Sequence, residues 1–221
     1  MTNTVPPTRA TASALLRKNP VIAVLRAADA RDYDHVVDVL ADNGVRSIEL
    51  TLSTPGTLEH LPSLLTHIGA AVEIGIGTIV NVEQAQRAID AGANYLVTPI
   101  ANLGVIAHAV RSGVPVFPGG LTPTELYSAW DAGATAVKIF PAETVGPQYG
   151  RHLRGPFPEL EFVPSGGVGL DDVAAWLRAG ALAVSIGGPL IGDALKGGSL
   201  DALAERARRV TGLVADARSA R

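Results

Sequence analysis

Short apolar runs follow a glycine at several places along the chain, and amphipathic stretches lie between them. The runs VRSIELTL, ANYLVTP and ATAVKIF each begin after a glycine, and weaker copies follow Gly69 and Gly155. A glycine after an amphipathic stretch is typical of a helix C-terminus, where the backbone often takes positive φ. The pattern therefore predicts a unit of helix, glycine and strand about every 20 to 25 residues. Further glycines of this kind are Gly44, Gly92, Gly113, Gly133 and Gly180.

Eight such units are found, and their strands are mostly apolar. We predict strands near 21–25, 46–52, 72–77, 94–98, 114–118, 135–140, 161–165 and 182–186. Strands of this kind, alternating with helices, favour a parallel sheet closed into an α/β (β/α)8 TIM barrel. An open doubly wound sheet would require a Gly-x-Gly-x-x-Gly turn after the first strand, which Leu25-Arg26-Ala27-Ala28 is not. We expect one domain over 1–221, with an extra N-terminal helix near 8–18 and a closing helix near 199–219.

Two charged residues interrupt the apolar alternation of their strands. Residues alternate between the two faces of a strand, so the apolar neighbours Ile48 and Leu50 place Glu49 on the inner face of the barrel. The same alternation places Lys138 inside. Because a buried charge without a partner is costly, the two groups must pair or meet a ligand. Two interpretations stay open: a structural ion pair, or a Schiff-base lysine whose neighbouring carboxylate moves protons.

Composition narrows the class of protein. The 221 residues are 47% hydrophobic and 18% charged, with net charge −3 and no cysteine. This content excludes disorder, disulfides and zinc–thiolate sites, and the charge gives no electrostatic reason to expect nucleic acid. No apolar run approaches the roughly 18 residues of a membrane span, and the N-terminus does not resemble a signal peptide. We expect a cytoplasmic enzyme or small-molecule binder. Only three of the 18 basic residues are lysines, namely Lys18, Lys138 and Lys196.

Glycine-rich turns after the last two strands suggest an anionic ligand. Ser165-Gly166-Gly167 and Gly187-Gly188 lie where barrels often bind phosphate, and glycines let backbone N–H groups converge on an anion. Gly75, Gly77 and Thr78 suggest a close backbone approach after strand three, or merely a tight strand end. The histidines lack the spacing of a metal pair, so we expect no metal site. They are His35, His60, His67, His108 and His152.

Several motifs together resemble a known family. They are VIAVLR at 21–26, GVRSIELTL at 44–52, GIGTIVN at 75–81, VTP at 97–99, FPG at 117–119, VKIFPAE at 137–143 and PSGG at 164–167. In this order they resemble the class I 2-keto-3-deoxy-6-phosphogluconate (KDPG) aldolases. This family also includes the 6-phosphogalactonate (KDPGal) and 4-hydroxy-2-oxoglutarate (KHG) aldolases. The resemblance implies a homotrimer of barrels without metal or organic cofactor.

The resemblance also implies roles for individual residues. Lys138 matches the Schiff-base lysine and Glu49 the proton-transfer residue. Four residues match those that shape the pyruvate end of the site: Thr78, Pro99, Phe140 and Ser165. Four more match the phosphate site: Gly166, Gly167, Gly187 and Gly188. The expected reaction cleaves a 2-keto-3-deoxy-6-phospho sugar acid to pyruvate and glyceraldehyde 3-phosphate.

Two departures from the family pattern leave the substrate open. Ser53 stands where many KDPG enzymes have an arginine. Arg26 lies in a Leu-Arg-Ala sequence at the end of the first predicted strand, as in the KDPGal branch, and can supply the missing cation. Pro189 stands where phosphate-binding relatives often have serine, which removes a hydroxyl and an N–H donor. KDPG, KDPGal and KHG cleavage therefore remain alternatives. A phosphate-binding barrel isomerase or epimerase, and a non-enzymatic binding protein, also remain.

Overall fold

The computed structural model describes residues 9–219, which form an α/β fold. The strands are β1 (Val21–Leu25), β2 (Ser47–Thr51), β3 (Glu73–Gly77), β4 (Tyr95–Val97), β5 (Val116–Phe117), β6 (Gly119–Gly120), β7 (Val137–Ile139), β8 (Phe162–Pro164) and β9 (Val184–Ile186). The helices are α1 (Ala14–Lys18), α2 (Tyr33–Asp42), α3 (Thr57–Ile68), α4 (Val82–Asp90), α5 (Leu103–Arg111), α6 (Pro123–Asp131), α7 (Pro147–Arg154), α8 (Val173–Arg178), α9 (Gly188–Ile191) and α10 (Leu200–Ser219).

The strands pair in parallel within two sheets. A curled six-stranded sheet has the order β5-β4-β3-β2-β1-β9, and a three-stranded sheet has the order β6-β7-β8. A parallel bridge between Ser165 and Ser185 joins the end of β8 to β9. At the other seam, the Thr135 N–H donates to the Val116 carbonyl over 3.0 Å, which joins the segment before β7 to β5. Hydrogen bonds thus connect the two sheets at both seams.

The predicted strand at 114–118 is wrong in its extent. Only Val116 and Phe117 pair there as β5, and β6 follows after Pro118. Proline has no N–H to donate to a neighbouring strand, so the ladder is interrupted at this residue. The Pro118 carbonyl still accepts from the Lys138 N–H over 2.8 Å, which keeps β7 in register across the break.

Helix boundaries agree with the glycine pattern, except at the N-terminus. Most of the glycines that end the predicted helices, such as Gly44 and Gly180, have positive φ, whereas Gly155 after α7 has φ of −58°. The predicted helix at 8–18 is too long: residue 8 lies outside the described residues, and α1 begins only at Ala14. The side chain of Ser13 accepts a hydrogen bond from the Leu16 N–H and so caps the helix at this point.

The core has an outer and an inner part. Outward residues such as Ile48 and Leu50 pack with the apolar faces of helices, including Val36 and Leu40 of α2. A separate inner cluster combines Leu16 of α1 with inward residues of the strands, among them Ile22, Tyr95, Phe117 and Val163. Because α1 precedes β1 and joins this cluster, it packs beneath the strands, at the end opposite their carboxyl termini. Within residues 9–219 no helix is long and apolar enough to cross a membrane.

Candidate active site

A cavity of about 260 Å³ opens at the carboxyl ends of the strands. All eleven residues to which the sequence assigns a catalytic or substrate-binding role line it: Arg26, Glu49, Thr78, Pro99, Lys138, Phe140, Ser165, Gly166, Gly167, Gly187 and Gly188. Five further residues complete the lining: Val24, Thr51, Val168, Ser185 and Pro189. The strands therefore bring together residues that are up to about 160 positions apart in the sequence, as parallel barrels do at this end.

A second, larger cavity of about 470 Å³ lies elsewhere, next to α1 and the residues that precede β1, β8 and β9. Arginines line it, including Arg17, whose guanidinium forms an ion pair with Glu161 at 2.8 Å. It lies at the amino ends of the strands and contains neither Glu49 nor Lys138. Buried ionisable groups within a concave pocket are the better indicator of chemistry, so the smaller cavity is the candidate active site.

Lys138 lies in the middle of β7, with its side chain directed into the cavity. Its neighbours Val137 and Ile139 are fully buried in the outer core, as the alternation predicts. Lys138 itself is only 7% exposed, and its Nζ lies 5.0 Å from the centroid of the Phe140 ring. An ammonium at this distance from an aromatic face is attracted by the negative face of the ring quadrupole. Phe140 thus forms an apolar wall beside the amine.

Glu49 lies on β2 and is 2% exposed. Its carboxylate leans over β3: a Cβ built on Gly77 would lie 1.9 Å from Glu49 Oε1. The glycine is therefore needed at this position because any side chain would displace the carboxylate. Glu49 Oε2 is buried and has no hydrogen-bond partner among the described residues.

Neither charged group is neutralised by the other. Among residues 9–219, the ion pairs involve neither Lys138 nor Glu49. The interpretation of the two residues as a structural ion pair is therefore wrong for this structure. Two buried groups of opposite charge that share a cavity without pairing are available to a ligand.

Thr78 and Pro99 follow β3 and β4 at the mouth of the cavity. Thr78 has φ of 63°, in the left-handed region that β-branched residues rarely adopt. Such strain persists only where the surroundings enforce it, and it is concentrated at functional sites. Pro99 is packed tightly, because a Cβ on Gly119 would lie 2.5 Å from its carbonyl carbon and oxygen.

Ser165 and Ser185 connect the last two strands inside the cavity. Both are buried, and Ser165 Oγ donates to Ser185 Oγ over 3.2 Å. The sequence analysis missed Ser185. The signal was present, because Val184-Ser185-Ile186 has the same apolar–polar–apolar alternation as Val137-Lys138-Ile139.

The glycine turns adopt the expected backbone. Gly166 and Gly167 have φ of 84° and 74°. A Cβ on Gly166 would lie 2.9 Å from the Phe140 ring, and one on Gly167 would lie 2.2 Å from Glu143 Oε2. Side chains are thus excluded at both positions, and the turn presents its backbone to the cavity. On the other side, Pro189 lies in the first turn of α9 and contributes no N–H.

Arg26 directly follows β1 and is exposed at the mouth of the same cavity. Among the described residues its guanidinium forms no ion pair with Glu49, and it is therefore available to a ligand. Ser53, which takes the place of the arginine of many KDPG enzymes, lies outside the cavity lining, 3.0 Å from Thr51 Oγ1. In residues 9–219, no three His, Cys, Asp or Glu residues are arranged to hold a metal ion.

Comparison with known proteins identifies the family. The family model "KDPG and KHG aldolase" matches residues 12–205. The chain is 34% identical over 174 residues to 2-dehydro-3-deoxy-6-phosphogalactonate aldolase of Escherichia coli, covering 78% of this chain and 85% of that one. It is 36% identical over 163 residues to 2-dehydro-3-deoxy-phosphogluconate aldolase of Treponema pallidum, covering 73% and 76%.

A solved structure adds information on chemistry. The KDPG aldolase of Legionella pneumophila, with pyruvate captured at low pH as a covalent carbinolamine intermediate, superimposes with a TM-score of 0.81. It is 25% identical to this chain, and the match covers 89% of this chain and 96% of that one. The family model, the two curated relatives and this structure agree with one another. The chain belongs to the KDPG and KHG aldolase family.

Proposed function

We propose that this protein is a class I aldolase that cleaves a 2-keto-3-deoxy-6-phospho sugar acid to pyruvate and glyceraldehyde 3-phosphate. The observation that carries the proposal is Lys138, which is buried, unpaired with any described carboxylate and in the same cavity as Glu49. A lysine adds to a carbonyl through its neutral amine, which is the nucleophilic form. The carbinolamine captured in the Legionella enzyme is the first intermediate that such an amine would form with pyruvate.

The reaction requires one amine and one proton carrier. The neutral Lys138 amine adds to the C2 carbonyl, and the resulting carbinolamine takes up one proton from solvent and loses water to give a protonated imine. The final hydrolysis returns this proton to solvent. Glu49, acting through a bound water, accepts the proton of the C4 hydroxyl while the electrons of the C3–C4 bond move into the imine. The aldehyde leaves, and an enamine of pyruvate remains on Lys138. Glu49 returns the proton to C3, and water then hydrolyses the imine to release pyruvate and the lysine.

Arg26 and the glycine turns hold the two ends of the substrate in this proposal. Arg26 binds the carboxylate of the keto acid, because a planar guanidinium can donate two parallel hydrogen bonds to it. Thr78, Pro99, Phe140 and Ser165 enclose the pyruvate end. The phosphate is bound by the backbone N–H groups of the two glycine turns, Gly166-Gly167 and Gly187-Gly188. Pro189, which has no N–H, offers one donor fewer than another residue would at this position. The relatives of both branches are about equally similar, so KDPGal and KHG remain alternative substrates.

The remaining expectations concern the whole molecule. We propose that β5 and β6 are halves of one strand, which gives the eight strands of a (β/α)8 barrel in a single domain. The hydrogen bonds at both sheet seams support this count. We further propose a homotrimer, as the family resemblance implies, and a cytoplasmic location, which the absence of cysteine fits. Light scattering should then give about three times the chain mass of 22.8 kDa, and a mass equal to one chain would contradict the trimer.

Reductive trapping tests the imine. Borohydride reduction in the presence of pyruvate should fix a pyruvate-derived adduct on Lys138, and peptide mass spectrometry locates it. The chain has only two other lysines, Lys18 and Lys196, which serve as internal controls. Lys138→Arg keeps the charge but cannot form an imine, so it should lose both the adduct and the activity. Turnover by Lys138→Arg would refute the mechanism. So would a wild-type enzyme that gives no adduct and loses its turnover when EDTA is added.

A further inference from the structure

A row of three register partners crosses the sheet beneath the carboxylate of Glu49. Glu49 on β2 pairs with Gly75 on β3, and Gly75 pairs with Tyr95 on β4. Residues in one such row share the same face of the sheet, here the inner face. Because the middle member has no side chain, the two outer side chains can approach each other above it.

Tyr95 fills the space over Gly75. A Cβ on Gly75 would lie 2.0 Å from Tyr95 Cε2 and 2.4 Å from its Cζ, so the ring lies flat against the glycine backbone. The ring is held edge-on by Phe117, with centroids 5.5 Å apart and an interplanar angle of 81°. Since Cε2 and Cζ lie over Gly75, the hydroxyl lies next to the Gly75 backbone on the inner face, where the charges of both Glu73 and Glu49 act on it.

The Tyr95 hydroxyl and the Glu49 carboxylate are both unsatisfied. Tyr95 is 2% exposed, and neither its hydroxyl nor Glu49 Oε2 has a hydrogen-bond partner among the described residues. Buried polar groups of native proteins nearly always have a partner, so two of them in one layer require an explanation. Burial, followed by the charges of Glu73 and Glu49, raises the pKa of Tyr95 well above its usual range. The hydroxyl therefore stays protonated and can only act as a donor to a carboxylate.

Glu73 forms the next row below. It is the register partner of Ser47, whose Oγ donates to Glu73 Oε1 over 2.5 Å, and both are buried inside the sheet. Glu73 thus places a second carboxylate beneath Glu49. Two cationic groups line the cavity with Glu49: Lys138 on β7 and Arg26 at the end of β1.

We propose that Tyr95 is a positioning residue for Glu49: its hydroxyl donates to the Glu49 carboxylate, directly or through one water molecule, and favours the anionic, proton-accepting form. Glu73 opposes this effect from below, because a second negative charge favours protonation of Glu49. The inference rests on the proposed function, in which Glu49 accepts the proton of the C4 hydroxyl. It assigns to Tyr95 no contact with the substrate.

Tyr95→Phe removes the hydroxyl but keeps the ring on Gly75 and Phe117. We expect kcat to fall about tenfold, the loss of one hydrogen bond to a charged group, with KM within twofold. The acid limb of the kcat profile should move to higher pH, because the carboxylate has lost a donor to its anionic form. A purely structural hydroxyl predicts a different result: since it has no protein partner, its removal should leave or raise Tm without moving the profile.

Two further variants complete the test. Glu73→Gln keeps an acceptor for Ser47 but removes a charge, and it should move the acid limb the opposite way, to lower pH. Tyr33→Phe, in α2, also removes a buried tyrosine hydroxyl and should leave the profile unchanged. An unmoved profile in Tyr95→Phe overturns the inference. If Tyr95→Phe does not fold, an unmoved profile in Glu73→Gln overturns it instead.

Pyruvate trapping on Lys138 separates this inference from the proposed function. Trapping needs only the amine, so wild type and Tyr95→Phe should both give the adduct. An adduct with an unmoved pH profile refutes the role of Tyr95 alone. The absence of an adduct in the wild type refutes the aldolase mechanism itself.

Discussion

Gly77 is the residue whose replacement tests most directly how the site is built. Its alanine variant adds one methyl group on β3, where the carboxylate of Glu49 lies. Gly77 does not have positive φ, so alanine fits its backbone. The methyl group acts first on Glu49: the three heavy atoms nearest to the added Cβ are Oε1, Cδ and Cγ of that side chain.

The size of the effect follows from the distances. The added Cβ would lie 1.9 Å from Oε1, 2.5 Å from Cδ and 2.7 Å from Cγ of Glu49. Ordinary contact between such atoms is about 3.5 Å, so the carboxylate must move by roughly 1.5 Å. A misplacement of about 1 Å can cost 100-fold in rate, or about 2.7 kcal/mol of activation free energy. Glutamate can rotate away at a cost of about 1 kcal/mol, so the stability loss should be much smaller than the loss of activity.

The assay combines pyruvate release with unfolding in urea. Gly77→Ala should lower kcat/KM about 100-fold and the free energy of unfolding by about 1 kcal/mol. The matched variant Gly75→Ala places its Cβ 2.0 Å from the Tyr95 ring, which Phe117 holds in place. That variant should lose about 1–3 kcal/mol of stability, as in an overpacked core, and its kcat should fall only about tenfold, because it moves Tyr95 and not Glu49 itself. A kcat/KM of Gly77→Ala within threefold of wild type would show that the position of Glu49 is not what Gly77 protects.

Three further predictions concern other parts of the molecule. Arg26→Ala should weaken pyruvate binding, measured by calorimetry, about 30- to 150-fold, and an added Ser53→Arg should restore part of the affinity. Unchanged affinity with only a shifted pH profile would contradict the contact between Arg26 and the substrate carboxylate. Thr122→Ala should cost about 1 kcal/mol at the start of α6 in urea unfolding at pH 7. Hydrogen bonds from the backbone N–H groups of Thr122 and Leu121 lower the pKa of Glu125. The contribution of Glu125 to stability is therefore complete above its ordinary pKa of 4.5 and is lost as pH falls below that value. In a Glu125→Gln background, the change in the free energy of unfolding between pH 7 and pH 3 should be the same with Thr122 and with Thr122→Ala, which would confirm Glu125 as the source of the pH dependence. Gly212→Ala, where no atom lies within 4 Å of the added Cβ, should raise the free energy of unfolding by about 0.5–1 kcal/mol, and a lower Tm would refute this.

The sequence alone determined the order of the elements and the side of each strand that carries chemistry. The glycine spacing located the strands to within about two residues, and alternation placed Glu49 and Lys138 on the inner face. Both properties are local, because helix termini and strand alternation depend on neighbours only a few residues away. The eleven candidate residues line one cavity because carboxyl ends of parallel strands meet at one end of the fold.

Only the tertiary structure decided which side chains touch. Whether Lys138 pairs with Glu49 depends on strand stagger and on rotamers across the sheet, and the two do not pair. The ring of Tyr95 reaches over Gly75 because β3 and β4 are in a register that no local pattern encodes. Pro118 breaks the predicted fifth strand, although its carbonyl keeps β7 aligned. Contacts between distant segments follow from how the whole sheet curls, whereas the local pattern specifies only which face of each strand takes part.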